Sequence, residues 1–194
     1  MISRRTLLKS APFWLAGCGE KPFAFRNTDI SASQLGGDWD LHDFYGRPQQ
    51  LADFHGKVVI VFFGYTRCPD ICPSALAKYV ALLGDKGISG GRLQIVFITL
   101  DPQRDTPERL REYLTWFHPD VIGLSGDERQ IADVASKFRV TAIKKNISGG
   151  MGYVIDHSAG AYVFDPEGRL RLYLAENARL EDIAADVQQL LAGK

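Results

Sequence analysis

The sequence predicts an α/β fold, and three features carry that prediction. Residues 58–63 form a continuous apolar, β-branched run suited to a central strand covered on both faces. Leu93–Thr99 is a second such run, and residues 74–83 between them read as a helix. Strand, helix and strand together make a β-α-β unit, for which parallel pairing and a right-handed crossover follow.

Ahead of this unit, residues 39–44 and 50–54 flank the turn-like Tyr45-Gly46-Arg47-Pro48, which predicts an N-terminal β-hairpin extension. After it, Thr106-Pro107-Glu108 opens a helix: Thr106 as cap, Pro107 at the first helical position and Glu108 against the dipole. Leu110, Tyr113, Leu114 and Phe117 supply the apolar face of that helix. Residues 127–138 predict another, with Ile131, Val134, Ala135 and Phe138 on one stripe. A glycine-rich loop at 146–152 precedes strand segments at 153–155 and Ala161–Phe164. The turn at 165–168 leads into a strand at Leu170–Leu174, giving a late antiparallel hairpin, and Leu180–Leu191 closes the chain as an amphipathic helix. This order is compatible with a thioredoxin-like sheet.

A chain of 194 residues buries one good-sized core, and its 45% hydrophobic and 24% charged residues are close to the average of folded soluble proteins. Lys plus Arg equals Asp plus Glu at 23 each, without a long block of either sign, so a nucleic-acid partner is not expected. No apolar stretch reaches the ~20 residues of a spanning helix, so a membrane link has to run through an anchor or a leader.

The N-terminus supplies both. Arg4, Arg5 and Lys9 precede the apolar residues 11–16, the layout of a signal peptide over 1–17. Leu15-Ala16-Gly17-Cys18 resembles the lipobox of bacterial lipoproteins, which makes Cys18 a lipidation site. The stretch from Ser3 to Lys9 resembles a twin-arginine export signal. The expected organisation is a signal peptide (1–17), a lipid-anchored linker (18–37) and a folded domain (38–194), on the periplasmic side of the bacterial inner membrane. Residues 19–34 read as tether.

Two cysteines remain, in Cys68-Pro69-Asp70-Ile71-Cys72-Pro73, just past the C-terminal end of the first buried strand, where open α/β sheets place ligands. Both precede proline, which stiffens the loop, and a helix N-terminus following Cys72 favours thiolate over thiol. In an oxidising compartment such a pair is a disulfide, a redox couple or a metal site, and the spacing leaves all three open. Soft thiolates exclude magnesium and calcium. Two cysteines and a histidine leave structural zinc one ligand short, whereas copper(I) tolerates three.

Of the four histidines, His157 is the candidate third ligand, because the break Asp156-His157-Ser158 between two strand signals aims a side chain toward the cysteine loop. A turn histidine bonded to its neighbours is the competing reading. His42, His55 and His118 read as structural or surface residues. Arg67, Asp70 and Asp156 are candidates for tuning the ligands, with plain surface roles as the alternative.

Three ordered blocks, residues 63–73 (FGYTRCPDICP), 101–107 (DPQRDTP) and 156–158 (DHS), together resemble the Sco/SenC family, a likeness spanning residues 41–191. The resemblance implies a thioredoxin-like fold that binds a copper ion, as copper(I), copper(II) or both, through Cys68, Cys72 and His157. It also implies assembly of the binuclear copper centre of cytochrome c oxidase subunit II, as copper donor, as reductant of its cysteines, or both. Another periplasmic copper chaperone or a thioredoxin-like reductant is a further expected partner. A thiol-disulfide oxidoreductase using Cys68 and Cys72 as a redox pair is the alternative, with a thioredoxin-superfamily peroxidase behind it.

Overall fold

The computed structural model describes residues 24–88, 90–147 and 152–194. The leader and Cys18 lie outside the described residues, as do residues 148–151 of the glycine-rich loop.

Strands β1 (Thr28–Asp29), β2 (Leu41–Asp43), β3 (Pro48–Gln49), β4 (Val58–Gly64), β5 (Leu93–Thr99), β6 (Ile122–Ser125), β9 (Ala161–Phe164) and β10 (Leu170–Leu174) form one sheet. Its order is β1-β10-β9-β4-β5-β6-β2-β3. β4, β5 and β6 run parallel, and β9 pairs antiparallel with both β4 and β10. The helices are α1 (Ile71–Ala81), α2 (Pro107–Phe117), α3 (Glu128–Lys137) and α4 (Leu180–Leu191).

Every residue of β4 and β5 is buried. Successive side chains of a strand point to opposite faces, so both faces of this central pair are covered. Phe62 meets Tyr79 of α1 on one face, while Phe63 meets Phe138, at the end of α3, on the other. The predicted cap of α2 forms, the Thr106 hydroxyl accepting from the Arg109 N–H at 3.3 Å, and the structure adds a second: Asp127 caps α3 by accepting from the Gln130 N–H at 2.8 Å. The late hairpin is β9–β10, its turn closed by the Asp165 carboxylate accepting from the backbone of Glu167 and Arg169.

Three expectations need correction. The early hairpin is present as β2–β3, but residues 51–54, read as its second arm, form a 3-10 helix. The side chain of Asp53 turns back to accept from the Gln50 N–H and nucleates that turn. α1 begins at Ile71 rather than Ser74, because Pro73 in a first turn loses no hydrogen bond. Residues 24–34, read as tether, enter the body: β1 pairs with β10, and the buried Asp186 carboxylate accepts from the Arg26 and Asn27 N–H groups at 2.9 and 2.8 Å. The strand segment predicted at 153–155 is present as β8 (Tyr153–His157), which pairs with β7 (Ala142–Asn146) in a two-stranded ribbon separate from the main sheet.

Candidate metal centre

β4 ends at Gly64, and residues 65–70 lead from it into α1. Gly64 is there for space: a methyl group on it would lie 2.9 Å from Cys72 Sγ and 2.9 Å from the Phe97 ring. Cys72 is therefore packed against the strand end, fully buried, as the second residue of α1. Cys68, half-buried, precedes the helix and accepts the Cys72 backbone N–H at 3.4 Å, one of the first-turn N–H groups that no helical carbonyl reaches. The base of the loop is pinned by Asp105, whose buried carboxylate accepts from the Thr66 N–H at 3.0 Å, the Thr66 hydroxyl at 2.7 Å and the Thr99 hydroxyl at 2.6 Å.

His157 closes the site from the end of β8. Its Nε2 stands 3.4 Å from Cys72 Sγ, and the three potential ligand atoms of Cys68, Cys72 and His157 all lie within 4.8 Å of one another. Nδ1 is 2.9 Å from the Ser158 carbonyl. A carbonyl only accepts, so the ring proton sits on Nδ1, and Nε2 is the nitrogen that faces the sulfurs. A soft first-row ion with sulfur at ~2.3 Å and nitrogen at ~2.0 Å places trigonal donors ~3.7–4.0 Å apart, so this donor set fits such an ion with small adjustments. Among the described residues, no other group of three or more histidine, cysteine or acidic side chains is so arranged.

The electrostatics separate the two thiols. The Cys68 thiol is pulled down to about 3, chiefly by its hydrogen bond with Cys72, then by His157 and the backbone N–H groups of Asp70 and Cys72, against the cost of burial. The Cys72 thiol is pushed far above its ordinary range by the same bond to Cys68 and by burial. Burial pushes His157 down, but bonding to Cys68 and to the Ser158 carbonyl outweighs it and the ring is raised. The metal-free site thus holds one ready thiolate and one proton-holding thiol.

A cavity of about 320 Å³ opens beside Cys68 and His157, lined also by Tyr65, Pro69, Asp70, Ile71, Val154 and Asp156. A larger one, about 570 Å³ between α3 and β7, contains none of the three. Asp70 thus borders the site. Asp156 pairs with Lys145 at 2.6 Å, and Arg67 lines a neighbouring cavity with Arg104 and Tyr153. Of the remaining histidines, His42 lies on β2, His55 ends the 3-10 helix and His118 accepts the Asp120 N–H at a loop. Sequence reasoning gave no role to Tyr65 or Asp105. Tyr65 accepts the Ile155 N–H at 3.2 Å and meets the His157 ring edge-on at 5.9 Å. Asp105 falls within residues 101–107, where nothing in the local sequence says that its carboxylate turns inward.

Comparison with known proteins agrees with this geometry. The family model SCO1/SenC matches residues 27–192. Protein sco1 of Schizosaccharomyces pombe is 40% identical over 158 residues, which are 80% of this chain and 60% of that protein. The chain spans 56–60% of the length of this and two other eukaryotic relatives. Among solved structures, Arabidopsis thaliana ScoI with copper bound is 32% identical with a TM-score of 0.75, covering 82% of this chain and 99% of that one. Bradyrhizobium japonicum ScoI with copper bound is 36% identical with a TM-score of 0.70, covering 80% and 99%. With the match running through the whole folded body and both halves of the site, the chain belongs to the SCO1/SenC family, and its fold is thioredoxin-like.

Proposed function

We propose that this protein is a copper metallochaperone that carries one copper ion on Cys68, Cys72 and His157 and delivers it to the binuclear copper centre of cytochrome c oxidase subunit II. The observation that carries the reading is the convergence of two sulfurs and one imidazole nitrogen within 4.8 Å at the rim of an open cavity. Thiolates with an imidazole suit copper(I), and an added weak ligand from solvent or a partner suits copper(II). Relatives solved with copper bound support the choice of metal. The leader residues 1–17 would direct export and be removed, and a lipid on Cys18 would then hold the domain at the periplasmic face of the inner membrane, where that oxidase centre is built.

The test is a copper(I) competition titration of the full-length chain beside Cys68→Ser and His157→Ala, followed by transfer to subunit II. One equivalent bound tightly, weakened in both variants and passed to subunit II, is expected. Affinity unchanged in both variants would end the proposal.

A second reading, reduction of the oxidase cysteines, is favoured by one arrangement: a half-exposed Cys68 that accepts the Cys72 N–H, which favours its thiolate, beside a buried Cys72 whose burial favours the thiol. Cys68 would attack a partner disulfide, and Cys72 would then release the partner's second thiol and leave a Cys68–Cys72 disulfide. Dithiol turnover that survives His157→Ala would select this reading.

A further inference from the structure

We infer that Tyr153 and Arg104, neither of them in the donor set, are the positioning residues that hold His157 against the two cysteines; the inference rests on the metal-binding reading of that site. Among the described residues β8 pairs with β7 alone, apart from the main sheet. An isolated two-stranded ribbon is marginal in water, so this one keeps its place through what docks it. The sulfurs have no such dependence, since α1 carries Cys72 directly and Cys68 sits in the short loop between β4 and α1, pinned at its base by Thr66 and Asp105.

Lys144 ties β7 to Glu128, and the buried Ile155 packs mid-β8, but the start of β8 is held by a denser set of contacts. The Tyr153 hydroxyl donates to the fully buried Asp101 carboxylate at 2.6 Å. Arg104 donates through Nη1 to the Tyr153 carbonyl at 2.9 Å, and its guanidinium lies 3.6 Å from the centroid of the Tyr153 ring. The same guanidinium pairs with Asp101, which closes a triangle of Asp101, Arg104 and Tyr153.

Arg104 also reaches the other side of the site. Its guanidinium is 5.9 Å from the Tyr65 ring centroid, and Tyr65 in turn accepts the Ile155 N–H and meets the His157 ring edge-on. One arginine thus wedges between the tyrosine that begins the ligand strand and the tyrosine that touches the ligand ring. Strand β8 is five residues long, so a shift at Tyr153 is passed to His157 along one short, continuous backbone. The triangle fixes where the imidazole stands without bonding to it.

The experiment uses the full-length chain with Tyr153→Phe, which removes one hydroxyl, and Arg104→Lys, which keeps a cation at Asp101. Folding is verified by aromatic circular dichroism. Nitrogen-15 NMR of the metal-free protein reads the His157 ring: its Nδ1–H tautomer and its cross-peak to Tyr65. Both variants are expected to loosen these signals and to weaken copper(I) binding by about 10–100-fold, the usual effect of losing a group that orients a ligand. Ring signals unchanged from wild type in both variants overturn the inference, whatever copper does. If the ring loosens while wild type and His157→Ala bind copper(I) equally, the positioning stands and the metal reading is what fails.

Discussion

Asp105 offers a quantitative test of what holds the cysteine loop in place. Its carboxylate receives three hydrogen bonds, two from Thr66 and one from Thr99, at a site with 1% exposure. Asp105→Ala removes every acceptor. The Thr66 N–H has no second choice, and a buried donor left without a partner costs about 1–3 kcal/mol, so with two hydroxyls also stranded the variant loses about 3–5 kcal/mol. Asp105→Asn behaves differently. The amide oxygen still takes two of the donors, so one bond is lost, while the penalty of burying a charge is relieved; these oppose, and the net change stays within about 1 kcal/mol. The sign with pH is fixed by the same burial, which raises the Asp105 pKa above its ordinary 3.8. The folded state keeps that proton to higher pH than the unfolded chain does. Wild-type stability relative to Asp105→Asn therefore falls as pH rises from about 4 through the raised pKa, and then levels off. Urea denaturation of wild type and both variants from pH 4 to 8 measures all of this. Asparagine as damaging as alanine at neutral pH would refute the argument, because the charge and not the acceptor geometry would then be holding the loop.

Cys68 in the metal-free protein should be alkylated by iodoacetamide well below pH 7, because its thiolate persists down to about 3, while Cys72 stays unreactive; Cys72→Ser should move the Cys68 profile to higher pH, as read by mass spectrometry. Gly64→Ala should destabilise by about 1–3 kcal/mol and weaken copper(I) binding, since its methyl group meets Cys72 Sγ and Phe97; a thermal melt beside a copper titration checks both. Asp186→Ala should free the segment that Arg26 and Asn27 pin down, costing about 1–3 kcal/mol and opening cleavage around residues 24–30 in limited proteolysis, with the copper site unaffected.

The parts of the fold legible in the sequence were those whose burial is two-sided or periodic. β4 and β5 are covered on both faces and read as apolar runs; α2 announces its capping residue, and both α2 and α3 carry a clean stripe. β7 was illegible for the opposite reason, because all five of its residues are exposed and Ala-Ile-Lys-Lys-Asn alternates nothing. β1 is two residues long and owes its place to a carboxylate at position 186, far along the chain. At the site, cysteines and histidine are recognisable by chemistry wherever they fall. Asp101, Arg104, Asp105 and Tyr153 are common residue types whose roles exist only once 52 positions of separation, in the case of Tyr153 and Asp101, have been closed by folding.

The three donors are not equivalent mechanically, and that bears on how a cargo ion leaves. Cys72 is enclosed by Gly64, Phe97 and α1, so it is the ligand least able to move. Cys68 lies at the mouth of the cavity and already holds its charge without metal, so it is the sulfur an incoming partner ligand reaches first. His157 rides on a ribbon outside the main sheet, and releasing it costs only the contacts that dock β8. On the proposed reading, exchange proceeds from the imidazole side: a partner thiol or thioether replaces His157, then Cys68, and Cys72 lets go last. Tightening the ribbon's docking, for instance by a disulfide that ties β8 to the body of the domain, should therefore slow copper transfer to a partner while leaving the equilibrium affinity equal or higher. Stopped-flow transfer measured beside the competition titration separates the two quantities, and a tightened ribbon that transfers as fast as wild type would show that departure begins at the sulfurs instead.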